Sequence, residues 1–205
     1  TGRYARSHGA TWNNTPLRVG EMTMGDHLRP LGMDTYLCGK THMSADIEGL
    51  RRLGIDPEST IGRRISECGF DVWERHDGEF PDSMADEPSS YQDYLRSVGF
   101  NSKNPWHDAA NSGEDENGDI LSGWLLKHAR SPARVENNHT ETPWTTSRAI
   151  DFIDQAGGKP WCLHLSYIKP HWPYVAPAPY NDMYGPDDVV PVSRSDAEID
   201  DPNPV

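Results

Sequence analysis

Three short clusters of polar side chains in the 205-residue sequence are suited to handling an anion. In Gly39-Lys40-Thr41-His42 an ammonium and an imidazole lie two residues apart, and on an extended stretch both point to the same side. Lys supplies a compact positive charge, and His supplies a donor or a proton near neutral pH. In Lys169-Pro170-His171-Trp172-Pro173-Tyr174 two prolines flank His171 and limit its backbone freedom, which suits a side chain that must meet a reacting group in one geometry. The third cluster is N-terminal: Thr1-Gly2-Arg3-Tyr4, Ser7-His8-Gly9 and Thr11-Trp12-Asn13-Asn14. Residue chemistry leaves each open to a plainer reading, as a solvated Lys beside a hydrogen-bonded His, an aromatic turn, or an ordinary polar loop.

Other chemistry finds no support in the spacing. The sequence has no HExxH or HxxxH pair, no acidic ladder of the calcium-loop type, no GxSxG elbow and no glycine-rich phosphate loop. Asp46, Asp71 and Asp77 stand alone, and Glu114-Asp115-Glu116 reads as a solvated face. With 19 Lys+Arg against 32 Asp+Glu the net charge is −13, which argues against nucleic acid or an anionic membrane as partner while leaving room for a small anion in a local positive pocket. No apolar run approaches the roughly 18 residues of a membrane span. Cys38, Cys68 and Cys162 form no CxxC pair and no complete disulfide framework, which favours a reducing, cytoplasmic setting over a periplasmic or secreted one. Cys38 and Cys162 sit in apolar runs and read as small buried hydrophobes.

The elements that must position these clusters follow an α/β grammar. A helix is predicted over 23–31, with Thr23 as cap and Gly32 as stop, then a buried strand over 35–38 ending at Gly39. A second helix is predicted over 145–156, capped by Thr145 or Thr146, followed by a strand over 161–168. Lys40-Thr41-His42 and the 169–174 run therefore both follow strands, where α/β sheets place their ligands. Between the two units, 76–130 reads as an insertion with a helix near 91–98 and another within 120–130, and 175–205 reads as a Pro/Asp-rich extended surface segment.

Together, Thr-Gly-Arg at the start, Gly-Met-Asp-Thr-Tyr-Leu-Cys-Gly-Lys-Thr-His at 32–42 and Lys-Pro-His-Trp-Pro-Tyr at 169–174 resemble, in order, the sulfatases of the alkaline phosphatase superfamily. The N-terminal run and the 169–174 loop are most similar to the phosphonate monoester hydrolases among them. The resemblance implies an alkaline-phosphatase-like α/β sandwich, a mostly parallel central sheet flanked by helices, of which 1–205 is a partial catalytic domain. It implies hydrolysis of a small sulfate, phosphonate or phosphate ester by a formylglycine-type nucleophile beside a divalent cation, calcium or manganese, with both expected upstream of Thr1 or elsewhere outside the fragment. Lys40 and His42 match the family's Gly-Lys-x-His pair, which contacts the sulfate and the nucleophile, and His171 matches a histidine at the transferred group or leaving oxygen. Asn13 matches a pocket asparagine, Lys169 is expected to bind substrate, and Arg3 is expected to be structural. The phosphonate hydrolases carry Tyr and Thr where Lys40 and His42 stand, so this pair favours sulfate monoesters over phosphonate or phosphodiester. A non-catalytic sulfatase-like binding module and a homo-oligomer are the remaining alternatives.

Overall fold

The computed structural model describes residues 1–201. From the N terminus it runs through α1 (Ala5–His8), α2 (Met24–Leu28), β1 (Asp34–Gly39), α3 (Ile47–Arg52), α4 (Thr60–Ser66), β2 (Asp71–Arg75), α5 (Ser90–Ser97), β3 (Ser112–Glu114), β4 (Ile120–Ser122), α6 (Glu141–Gln155), β5 (Trp161–Ser166) and α7 (Asp196–Asp200). β1 is the middle of a parallel sheet of order β2-β1-β5. A central parallel strand is covered on both faces and needs a near-continuous apolar run; Thr35, Leu37 and Cys38 are fully buried. This is the α/β class that the alternation of helix and strand implies.

α2 forms as predicted, with Thr23 and Asp26 making a capping box and a short 3₁₀ turn, Arg29–Leu31, ending at Gly32 with φ +79°. α6 starts at Glu141, four residues before the predicted start, so Thr140 rather than Thr145 or Thr146 holds the cap position. Pro143 does not prevent this, because first-turn N–H groups have no partner inside the helix. Thr145 is instead buried and its hydroxyl donates to the Glu141 carbonyl at 2.8 Å. β5 stops at Ser166, two residues short of prediction.

The stretch 76–130 makes the larger aromatic core. Phe80, Tyr91, Leu95, Trp106, Ala109 and Ala110 are buried together with Val135 and with Trp144 of α6. The helix expected within 120–130 is instead strand β4, paired antiparallel with β3, and a 3₁₀ turn at Leu126–His128. Asp115 explains the change: its Oδ1 accepts from the Asn117 and Asp119 amides at 2.8 and 2.9 Å and closes a hairpin turn that cross-strand pairing then extends. Glu114 therefore ends β3 and pairs with Arg134 at 2.7 Å, while Asp115 and Glu116 lead into the turn. The 175–205 segment holds two 3₁₀ turns and α7 rather than a purely extended run, largely exposed, and its residues 202–205 lie outside the described residues.

Candidate active site

Gly39 ends β1 with φ +110°, and a Cβ there would lie 1.9 Å from the Ser166 carbonyl oxygen of β5. Only glycine lets the ends of β1 and β5 come this close, and the register pairs Gly39 with Ser166. Both loops of interest thus leave neighbouring strand ends. In the first loop Thr41 is buried, its hydroxyl donating to Glu67 Oε2 at 2.7 Å and accepting from Arg75 at 2.9 Å. Arg75 is held in turn by Glu67 and by Asp77, the latter through two bonds of 2.7 and 3.0 Å. With Thr41 fixed, Lys40 and His42 on either side of it both line one cavity of about 650 Å³. Neither side chain has a hydrogen bond or ion pair among the described residues.

Asn13 lines the same cavity, brought there by the N-terminal stretch. The Ser44 hydroxyl donates to the Asn13 carbonyl at 2.8 Å, and Leu17 bridges to Ala45. Arg3 donates to both Glu21 carboxylate oxygens, at 2.6 and 2.8 Å, and to the Ser7 carbonyl, the structural role expected of it. His8, His164 and Ser166 complete the polar wall. His164 stacks on Phe70 with ring centroids 5.3 Å apart.

The second loop is built differently. Lys169 and His171 line another cavity, about 630 Å³, between the start of α6 and residues 174–180. The Lys169 ammonium turns inward: it donates to Asn111 Oδ1 at 2.7 Å and to the Pro173 carbonyl, and lies 3.9 Å from Glu141 Oε2. Glu141 is 3% exposed. Its carboxylate accepts from His76 Nε2 at 2.8 Å, Trp106 Nε1 at 2.9 Å and Asn111 Nδ2 at 3.4 Å. Burial pushes this carboxyl up, but the His76 hydrogen bond and charge, with Lys169 and Trp106, more than offset it and leave it below the usual range. Burial pulls the Lys169 ammonium below its usual value, and the Glu141 charge opposes that only in part. His171 Nδ1 lies 2.6 Å from the Trp172 carbonyl and 3.2 Å from Glu79 Oε1. A carbonyl only accepts, so Nδ1 carries the proton, and Nε2 has no hydrogen-bond partner among the described residues.

No protein-family model matches the chain. The chain is 30% identical over 196 residues to the multifunctional alkaline phosphatase superfamily protein PehA of Trinickia caryophylli, across 92% of this chain and 33% of that protein. It is 27% identical over 196 residues to an arylsulfatase of Clostridium perfringens, across 92% and 34%. The solved phosphonate monoester hydrolase of Silicibacter pomeroyi shares its fold with a TM-score of 0.72 at 25% identity, over 98% of this chain and 36% of that one. The chain is therefore similar to sulfatases and phosphonate hydrolases of the alkaline phosphatase superfamily. It spans about a third of the length of the relatives it matches.

The structure brings Asn13, Lys40 and His42 to one cavity and places Lys169 and His171 at a second. His8, from the N-terminal polar cluster, joins the first cavity, as does His164; Glu141 and His76 join the second loop. His164 was visible only as a polar residue in the strand run 161–168. Glu141 and His76 gave no signal, because a buried pair 65 residues apart leaves no periodicity. The chain's own residues do not fit a divalent cation: among the described residues no three His, Cys, Asp or Glu side chains cluster to hold one. The lone aspartates have structural partners instead. Asp46 caps α3 through the Gly49 amide at 2.8 Å, Asp71 binds Arg64, and Asp77 binds Arg75. Cys38, Cys68 and Cys162 are free thiols; Cys38 is buried as expected, and burial, then the Glu74 charge, push it up to about 11. Among the described residues no helix is long and apolar enough to cross a membrane.

Proposed function

We propose that the intact protein hydrolyses sulfate monoesters of small organic molecules, with Lys40, His42 and Asn13 receiving the anionic head and His171 serving the leaving oxygen. The observation that carries the reading is the Lys40 ammonium and the His42 imidazole, with no protein partner among the described residues, converging on one cavity at the end of the central strand. A transferring sulfuryl group spreads negative charge over its outer oxygens, and fixed donors aimed at that charge stabilise the transition state more than the bound ester. Lys40 supplies the charge, His42 a directed donor, and the Asn13 amide orients the group. The Nε2 of His171, unpartnered among the described residues, is suited to exchange a proton with the departing oxygen. A formylglycine-type nucleophile and a calcium or manganese ion would supply the attacking oxygen and its activation, and none of the steps given to Lys40, His42, Asn13 and His171 runs through them.

Rates of the intact protein on nitrophenyl sulfate, phenyl phosphonate and bis-nitrophenyl phosphate test the reading. Sulfate turnover ahead of the other two is expected. Preference for phosphonate or diester transfers the assignment to those esters, and a protein that binds sulfate esters without turning any over is a binding module instead.

A further inference from the structure

We infer that Lys169, held by Glu141 and Asn111, is a positioning residue that clamps the 169–173 turn and thereby aims His171, rather than a residue that touches the ester. An ammonium has three N–H donors. Lys169 directs one to Asn111 Oδ1 at 2.7 Å and another to the Pro173 carbonyl, and the charge of Glu141 lies 3.9 Å away. That leaves little for an outside anion. The bond to Pro173 spans four residues and closes a ring of chain around His171, whose amide donates to the Ile168 carbonyl at 2.9 Å. The imidazole is fixed at its other end by Trp172 and Glu79.

The anchor is deep in the aromatic half. Glu141 opens α6, Asn111 is fully buried, and Glu141 is fixed by His76 and Trp106, both themselves buried. A paired charge in such a place adds little net stability compared with a well-packed apolar substitute, but it sets a geometry that apolar contacts do not. Tyr91 and Trp144 both pack edge-on against the His76 ring, with centroids 5.1 and 5.3 Å away, so the carboxylate's main partner has little room to turn. The 76–141 core therefore sets the loop's orientation together with the strand end at Ser166.

The inference rests on the functional reading only in that His171 acts on the ester, and the test separates the two. In the intact protein, Lys169→Met and Glu141→Gln are each made in the wild-type and in the His171→Ala background, and kcat and KM are measured on a sulfate ester. A residue acting through His171 has no work left once that imidazole is gone. Each variant is expected to lower kcat at least tenfold in the wild-type background, with KM little changed, and less than twofold beside His171→Ala. The same fold-loss in both backgrounds overturns the clamp and makes Lys169 a direct contact or a general structural support. Peptide-level amide exchange supplies a readout free of activity. The segment carrying the His171 amide is expected to exchange faster in both variants while β1 is unchanged, and unchanged exchange at His171 overturns the inference. Should losing either charge unfold the protein, Asn111→Ser removes only the neutral partner and is held to the same two criteria. A wild-type protein inactive on every ester defeats the functional reading alone, and the exchange comparison still decides the clamp.

Discussion

The loops after β1 and after β5 leave neighbouring ends of one parallel sheet, and each carries a Lys and a His two residues apart. They use them in opposite ways. After β1 the small residue between the Lys and the His is pinned, Thr41 to Glu67 and Arg75, and Lys40 and His42 stay without protein partners among the described residues at a cavity wall. After β5 the cation itself is pinned, Lys169 to Asn111 and Glu141, and the histidine is braced by a carbonyl and a carboxylate. An unpartnered cation at a wet wall costs little and is free to meet an incoming anion; a buried, paired one is expensive to disturb and organises what surrounds it. The same residue pair in sequence thus serves as binding charge in one place and as framework in the other.

The largest test of that contrast is stability. Glu141→Ala leaves the Lys169 ammonium and the His76, Trp106 and Asn111 donors without their acceptor, and breaking a buried pair this way costs about 3–5 kcal/mol. Denaturant unfolding of the intact protein measures it, and a cost below about 1 kcal/mol would show that the network is slack. The same carboxyl sets an acid limit. Its pKa is lower folded than unfolded, so its contribution is complete above the ordinary Glu range. That contribution is lost as pH falls from the ordinary range through the depressed folded value. Unfolding followed from pH 7 downward should show a loss in the wild type that is missing in Glu141→Gln.

Activity comes next. Lys40→Ala and His42→Ala are each expected to lower kcat/KM by roughly 10²-fold, the size of one lost electrostatic contact at the reacting group. Because neither side chain has a partner among the described residues, unfolding should move by no more than about 0.5 kcal/mol. The contrast breaks if Lys40→Ala destabilises as Glu141→Ala does, or if activity is indifferent to both cations.

Both strands and both loops were legible in the sequence because their signals are local. Apolar runs close with Gly39 or with Lys169-Pro170, and polar residues follow at once. Asn13, Lys40 and His42 could be placed at one site by resemblance, and the structure gathers them at one cavity. The inward turn of Lys169 was not legible, since it depends on Asn111 and Glu141, which are 58 and 28 positions away and reach it only after the aromatic core has formed. The start of α6 was missed because the apolar spacing begins at Ala149, and the first turn, with Glu141 and Pro143, adds nothing to that periodicity. The β3–β4 hairpin was missed because an Asp turn outweighed a short apolar run.

A smaller effect probes what the two loops share. Gly39→Ala forces a side chain into the space of the Ser166 carbonyl at a backbone angle of +110°. Strain of that kind costs on the order of 1–3 kcal/mol. Since Ser166 ends the strand that leads to His171, the variant should loosen both loops, seen as faster amide exchange after β1 and after β5 together. Faster exchange after β1 alone would show that the β5 loop takes its orientation wholly from the Glu141 side.

The least costly change lies at the edge of the first cavity. Arg3 and Glu21 form a two-pronged pair, but the Arg3 side chain is 53% exposed, and exposed pairs contribute only about 0–1 kcal/mol. Arg3→Ala should therefore barely move unfolding, and less still at high salt. Its effect should be on position. Arg3 also holds the Ser7 carbonyl, and that stretch leads to His8 and Asn13 at the cavity wall. A several-fold rise in KM with kcat nearly kept is the expected pattern, because the anion would be held less well while Lys40 and His42 stay in place. A fall in kcat with KM unchanged would mean instead that the N-terminal stretch acts in the transition state, and the division between binding charge after β1 and framework after β5 would have to extend to a third segment.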